Sequence, residues 1–142
     1  MARITIELPE HFGYRTEIPL LSMHMNFTGH LDNAMVLSLV SEARIRLWNK
    51  LGIDPVAVAG VAVAAADAAV QYKSEAFHGE TLVVEKAVRD YHKYGFDFVW
   101  CLTEKTSGRE VARGKTGILC LDPVARKVAT MPDALKKRLE SL

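Results

Sequence analysis

Met23-His24-Met25-Asn26-Phe27-Thr28-Gly29-His30-Leu31-Asp32-Asn33-Ala34 runs straight into a helical pattern that includes Ser41-Glu42-Ala43-Arg44. Val36, Val40, Ala43, Leu47 and Leu51 recur at helical spacing, which predicts one long helix over about Asn33 to Leu51. Gly52 stops the run, and Asp32 or Asn33 caps its start, because a short polar side chain accepts from the exposed N–H groups. A strand-like entry thus turns into a helix through a Gly-His corner crowded with polar groups. Helix starts carry unpaired N–H groups and the positive end of a dipole. Such groups polarise a carbonyl and hold the oxyanion formed when it is attacked, so the junction points to acyl chemistry.

Outward from this junction the periodicity changes from helix to strand. Tyr14 to Leu21 reads as a first strand, with Ile18 and Leu20 on one face. Asp54-Pro55 marks a short turn ending near Gly60. The alanines of Val61 to Glu75 favour helix, whereas Val61, Val63, Val70 and Tyr72 favour strand; we read the segment as a strand leading to a turn at His78-Gly79. Thr81–Tyr91, Tyr94–Glu104 and Val111–Leu121 follow as hairpin-linked strands, the last pair joined by Thr106-Ser107-Gly108. Pro132 to Leu142 is a short charged helix. The expected class is α+β, with one long central helix wrapped by a curved antiparallel sheet of about five strands.

The totals narrow the partners. A chain of 142 residues fits one domain, spanning 1–142, with a core that needs no metal or disulfide. A net charge of +1 without a dense basic run argues against nucleic acid. Cys101 and Cys120 lie in apolar strands outside any CxxC pair, as buried free thiols of a reducing compartment do. The N-terminus lacks an apolar signal segment, and Val56–Val70 is too short and too interrupted to span a bilayer. The expected location is the cytoplasm, with no membrane partner.

In this order of elements the chain resembles the hot-dog fold, and within it the acyl-CoA thioesterases of the 4-hydroxybenzoyl-CoA thioesterase type. Gly29-His30-Leu31-Asp32-Asn33-Ala34 is similar to the family's G-H-V-N-N-A turn, and Glu42-Ala43-Arg44 to its E-x-A-R helix segment. Leu51-Gly52, Gln71-Tyr72-Lys73-Ser74-Glu75 and Gly79-Glu80 follow in the family's order. The resemblance implies hydrolysis of an acyl-CoA at a site built at a homodimer interface, often within a homotetramer. It implies no metal or organic cofactor, coenzyme A entering only as part of the substrate. Within it, Leu31, Asn33 and Tyr72 belong to the substrate-binding surface.

One departure bears on mechanism. The family's D-x-D-x-x-G places a catalytic aspartate three residues before the glycine, where this chain has Asn26, and His24 takes the preceding acidic position. Asparagine orients water or donates to a carbonyl, but it is neither a general base nor a carboxylate nucleophile. Glu42 is the first candidate for the missing base, with Asn26 holding the water; alternatively it only pairs with Arg46 at i+4. His24 is a second candidate base or a packed, hydrogen-bonded residue. His30, beside Gly29, either donates to the substrate carbonyl or stabilises the turn, the carbonyl being polarised by the Gly29–Leu31 stretch. His24, His30 and Asp32 match no standard metal spacing. For the phosphates of coenzyme A, Arg89, His92 and Lys93 are the leading cations, with Arg113 and Lys115 behind them. Tyr94, Phe96, Phe98 and Trp100 read as core or dimer packing. Two other activities remain open: a non-catalytic acyl-CoA-binding module, favoured by Asn26, and a 3-hydroxyacyl thioester dehydratase, suggested by His30 and Glu42.

Overall fold

In the computed structural model, which describes residues 3–142, helix α1 (Asn33–Leu51) begins and ends where its sequence signals lie. Of the two cap candidates Asp32 is the one used: its carboxylate accepts from the Ala34 N–H at 2.8 Å. Gly52 closes the helix at φ 65°, a left-handed conformation that costs glycine least. Val36, Leu39, Val40, Ala43, Leu47 and Trp48 are buried along one stripe, which faces the sheet.

The sheet has five strands, β1 (Tyr14–Pro19), β2 (Ala62–Tyr72), β3 (Thr81–His92), β4 (Gly95–Glu104) and β5 (Glu110–Leu121). Their spatial order is β1-β3-β4-β5-β2, antiparallel throughout. Helix α2 (Asp133–Glu140) closes the chain, anchored by buried Leu135 and Leu139. This is the hot-dog arrangement of one long helix cupped by a curved antiparallel sheet. The alanine-rich segment is a strand because its register against β5 outweighs its helical propensity, interrupted only by a bulge between Ala65 and Asp67. Two strand boundaries differ from expectation by two residues or more. β1 stops at Pro19 and residues Ser22–His24 form a 3-10 turn, while β2 stops at Tyr72 and leaves Glu75 in a loop.

β4 is the buried centre of the sheet. Phe96, Phe98, Trp100 and Leu102 point to the helix side, and Val99 and Cys101 are buried on the opposite face. The segment before β1 helps cover that outer face: the Ile6 N–H donates to Gln71 Oε1 at 2.8 Å, and Arg113 donates to the Ile6 carbonyl at 3.1 Å. Both cysteines are free and buried. Burial, with Glu110 beside it, pushes the Cys101 thiol up to about 12, so the thiolate is suppressed. No helix among the described residues is long and apolar enough to cross a membrane.

Three buried residues break the apolar pattern among the described residues: Thr116 accepts from the Trp100 ring N–H and Glu104 from the Thr106 and Ser107 N–H groups, whereas Lys86 has no such partner. Lys86 on β3 is fully buried between Val84 and Val88, with its Nζ 5.0 Å from the centre of the Phe98 ring and no hydrogen-bond partner among the described residues. Burial, and secondarily the Arg44 guanidinium, bring its pKa down to about 7. An unfolded lysine titrates near ~10.4. Between these values the unfolded chain holds a proton that the folded chain lacks, so stability rises with pH across that window. Below pH 7 the penalty is present in full. Lys86→Met is therefore expected to stabilise the fold at pH 6 by about 1–3 kcal/mol and to flatten the rise between pH 7 and 10. Denaturant melts of both proteins across that range check this; a variant less stable at pH 6 would contradict it.

Candidate active site

Asn26, Phe27, Thr28 and Gly29 form a tight turn closed by the Gly29 N–H donating to the Asn26 carbonyl at 3.1 Å, with Gly29 at φ 91°. Asparagine at the first position and glycine at the fourth suit such a turn. The chain then pairs with itself: the Asn26 N–H donates to the His30 carbonyl at 2.9 Å and the Asp32 N–H to the His24 carbonyl at 3.0 Å. Its other edge pairs with the loop after β2, where the Leu31 N–H donates to the Ala76 carbonyl at 2.7 Å and His30 stands opposite Phe77. The Tyr72 hydroxyl adds a third tie, donating to the Asn33 carbonyl at 2.9 Å.

These ties enclose an open cleft of about 380 Å³ between the start of α1 and the end of β2. Leu31, Val36, Ala76 and Val111 give it an apolar floor, and Asn26, His30, Asn33, Tyr72, Lys73, Ser74 and Glu75 provide polar groups. His30 Nε2 lies 2.9 Å from the Thr28 hydroxyl and 3.6 Å from a Glu75 carboxylate oxygen. Thr28 in turn donates to Asn26 Oδ1 at 2.5 Å. A carboxylate beside an imidazole is the arrangement that lets histidine accept a proton and stabilises the cation that results.

The loop carrying Glu75 is held from β5 and the turn before it. Arg109 donates to both oxygens of Glu80, at 2.9 and 3.0 Å, and to the Glu75 carbonyl at 3.1 Å. Ser74 donates to the Glu110 carbonyl at 2.7 Å.

Of the residues singled out in the sequence, Asn26, His30, Leu31, Asn33 and Tyr72 meet at this cleft. Gly29 shapes the turn beside it. The expectation that the Gly29–Leu31 stretch polarises the carbonyl is corrected for two of its three N–H groups, since those of Gly29 and Leu31 are engaged in the turn and the bridge, while the His30 N–H has no partner among the described residues. The Asn33 N–H donates to no group of the chain among the described residues, which leaves it the open donor of the helix start.

His24 lies on the 3-10 turn, not on a strand shared with Asn26, and its Nδ1 accepts from the Leu21 N–H at 2.9 Å. Glu42 lies outside the cleft lining. Its carboxylate is about half exposed and accepts from Arg46 at 2.9 Å, while Arg46 also donates to Thr16 and to the Glu17 carbonyl on β1. That is the helix-fixing arrangement. Arg89 and Lys93 stand at the far end of β3, whose start lies near the cleft. A 12-residue strand spans roughly 35–40 Å, so neither reaches the cleft of its own chain. Sequence reasoning does not single out Glu75 by itself; the signal it offers is an acid three residues after Tyr72 in a segment leading to a glycine turn. Among the described residues no three of His, Cys, Asp and Glu are arranged to hold a metal ion.

Residues 20–139 match the family model described as the Thioesterase-like superfamily. No curated protein matches the chain in sequence. Among solved structures, a 1,4-dihydroxy-2-naphthoyl-CoA thioesterase from Synechocystis superposes with a TM-score of 0.83 at 17% identity, covering 91% of this chain and 96% of that one. The Escherichia coli protein YbaW gives 0.74 at 20% identity, covering 92% and 97%. A 12:0-ACP thioesterase from Umbellularia californica gives 0.79 at 15% identity, covering 90% of this chain and 49% of that longer one. At these identities the likeness is one of fold.

Arg109 is the main link holding the Glu75 loop, so Arg109→Met is expected to raise amide exchange across residues 74–80 while leaving α1 protected. The global cost should stay near ~1 kcal/mol, since both partners reach solvent. Hydrogen exchange measured residue by residue checks this, and unchanged exchange in the loop would contradict it.

Proposed function

The chain belongs to the thioesterase-like superfamily, and we propose that its cleft hydrolyses an acyl-CoA to the free acid and coenzyme A. The observation that carries this reading is the His30–Glu75 pair set beside the open Asn33 N–H. The thioester carbonyl lies against the helix start, where the Asn33 N–H receives the developing oxyanion. His30 takes a proton from water as the water oxygen bonds to the carbonyl carbon. Glu75 stabilises the imidazolium so formed. Collapse of the tetrahedral intermediate breaks the C–S bond, and the departing sulfur takes the proton back from His30. The acyl group rests on Leu31, Val36 and Val111. The chemistry draws on side chains, the Asn33 backbone N–H and water. Glu42 has no part in this sequence of steps, because it is committed to Arg46 outside the cleft.

The cations at the hairpin end of the sheet support coenzyme A as the carrier, and this part of the reading depends on assembly. β2 is an edge strand with Ala65, Ala66, Asp67 and Ala68 exposed, an open row of backbone groups suited to pairing. Antiparallel pairing of β2 with β2 of a second copy reverses the direction of the partner sheet. The partner's Arg89 and the partner's Lys93 then come to the same end of the joined sheet as the cleft, in position to meet the phosphates of the nucleotide. The two free thiols fit a cytoplasmic setting.

Thiol release from a panel of aliphatic and aromatic acyl-CoAs tests the reaction. His30→Asn should lower kcat by about 10²–10⁴ and Glu75→Gln by about tenfold or more, with Glu42→Gln within about threefold of the native rate. Collapse in Glu42→Gln with Glu75→Gln intact would return the base to the helix. Absence of turnover on every substrate, with acyl-CoA still bound, would favour the binding-module alternative that Asn26 suggests.

A further inference from the structure

The hydrogen bonds around Thr28 fix where each proton in the cleft resides, and from them we infer that Thr28 is the positioning residue that makes Nδ1 the basic nitrogen of His30 and turns Asn26 into a hydrogen-bond donor. This rests on the hydrolytic reading for its consequence, but its premise is a matter of donors and acceptors alone.

Asn26 comes first. The backbone N–H of Thr28 donates to Asn26 Oδ1 at 2.9 Å, so the atom facing Thr28 is the amide oxygen and not the nitrogen. The Thr28 hydroxyl also meets that oxygen, at 2.5 Å. A carbonyl oxygen brings no hydrogen, so the hydroxyl proton must lie between the two. Oγ1 has only one proton. Toward its other neighbour, His30 Nε2 at 2.9 Å, it can therefore only accept. The neutral imidazole thus carries its hydrogen on Nε2, the same atom that faces Glu75 at 3.6 Å. The ring nitrogen left with a lone pair is Nδ1, and no group of the chain donates to it among the described residues.

The consequence for Asn26 is equally direct. With Oδ1 held twice by Thr28, the group it keeps for a ligand is the Nδ2 amine, and Asn26 lines the cleft. An amine there donates to the thioester oxygen alongside the Asn33 N–H. The position where the resembled family has an aspartate thus becomes part of the oxyanion-binding surface, and base duty moves to His30. A threonine between the two residues satisfies both assignments at once, because one hydroxyl gives its proton to one side and its lone pair to the other.

Two-bond ¹H–¹⁵N spectra of ¹⁵N-histidine-labelled protein test the proton order without reference to turnover. His30, assigned by its loss in His30→Asn, is expected as the Nε2–H tautomer wherever the native ring is neutral. Thr28→Val, which keeps the shape and removes the hydroxyl, should shift the balance toward the other tautomer. Thr28→Ser should restore the native pattern. In kinetics, Thr28→Val should lower kcat about tenfold or more with KM nearly unchanged, the loss of one or two orienting hydrogen bonds, and Thr28→Ser should recover most of it. An Nδ1–H tautomer in the native protein overturns the inference, as does a Thr28→Val spectrum identical to the native one. A protein that releases no thiol would defeat the hydrolytic reading, while the spectrum would still decide the proton order.

Discussion

The pairing of residues 30–31 with 76–77 organises the molecule's functional end. Backbone groups in a half-buried corner must find partners or lose the hydrogen bonds that water supplied. The Leu31 N–H and the Ala76 carbonyl satisfy one another at 2.7 Å, and in doing so draw the loop after β2 against the start of α1. Everything placed at the cleft follows from that contact. His30 meets Glu75, Tyr72 reaches the Asn33 carbonyl, and the apolar side chains of Leu31 and Val111 close the floor. Rigidity comes from both sides, since Asp32 locks the helix start and Arg109 holds the loop through Glu80.

The rest of the chain supports this corner by burying apolar surface on both faces of the sheet. α1 covers one face with a continuous stripe, and the segment before β1 contributes to the other through Ile6. The central strand β4 is consequently buried on both sides, as parallel sheets usually are but antiparallel ones less often. Lys86 differs from the other buried polar residues, Glu104 and Thr116, in having no hydrogen-bond partner among the described residues. Burial, with the Arg44 guanidinium second, favours its neutral form despite the attraction of the Phe98 ring face for the cation, and ties the fold's stability to pH.

What the sequence made legible is what local chemistry decides. Asp32 and Gly52 are capping residues at positions where periodicity starts and stops, so the extent of α1 is legible to within a residue of its observed ends. Alternation exposed β3, β4 and β5 in the same way. The Glu42–Arg46 pair is legible as an i+4 contact, but periodicity alone does not say which helix face looks into a cleft, and Glu42 lies outside the lining of this one. The position of Glu75 is hidden for the converse reason. Its partner His30 is distant in sequence, and only the bridge between the two segments brings them together. The outer cover by Ile6 was equally hidden, because it depends on Gln71 and Arg113 from two different strands. Arg89 and Lys93 look close to the site along the chain's motif order, yet an extended strand carries them to the opposite end of the sheet.

The central claim is that the thioester sits between the start of α1 and the loop after β2. Backbone and imidazole NMR shifts on adding a hydrolysis-resistant acyl-CoA analogue, with a methylene between sulfur and carbonyl, test it most directly. The account predicts the largest changes at the Asn33 amide, the His30 ring and the residues flanking Glu75, with Glu42 and its helix face undisturbed. Changes centred on Glu42 and Arg46, or none near Asn33, would contradict it.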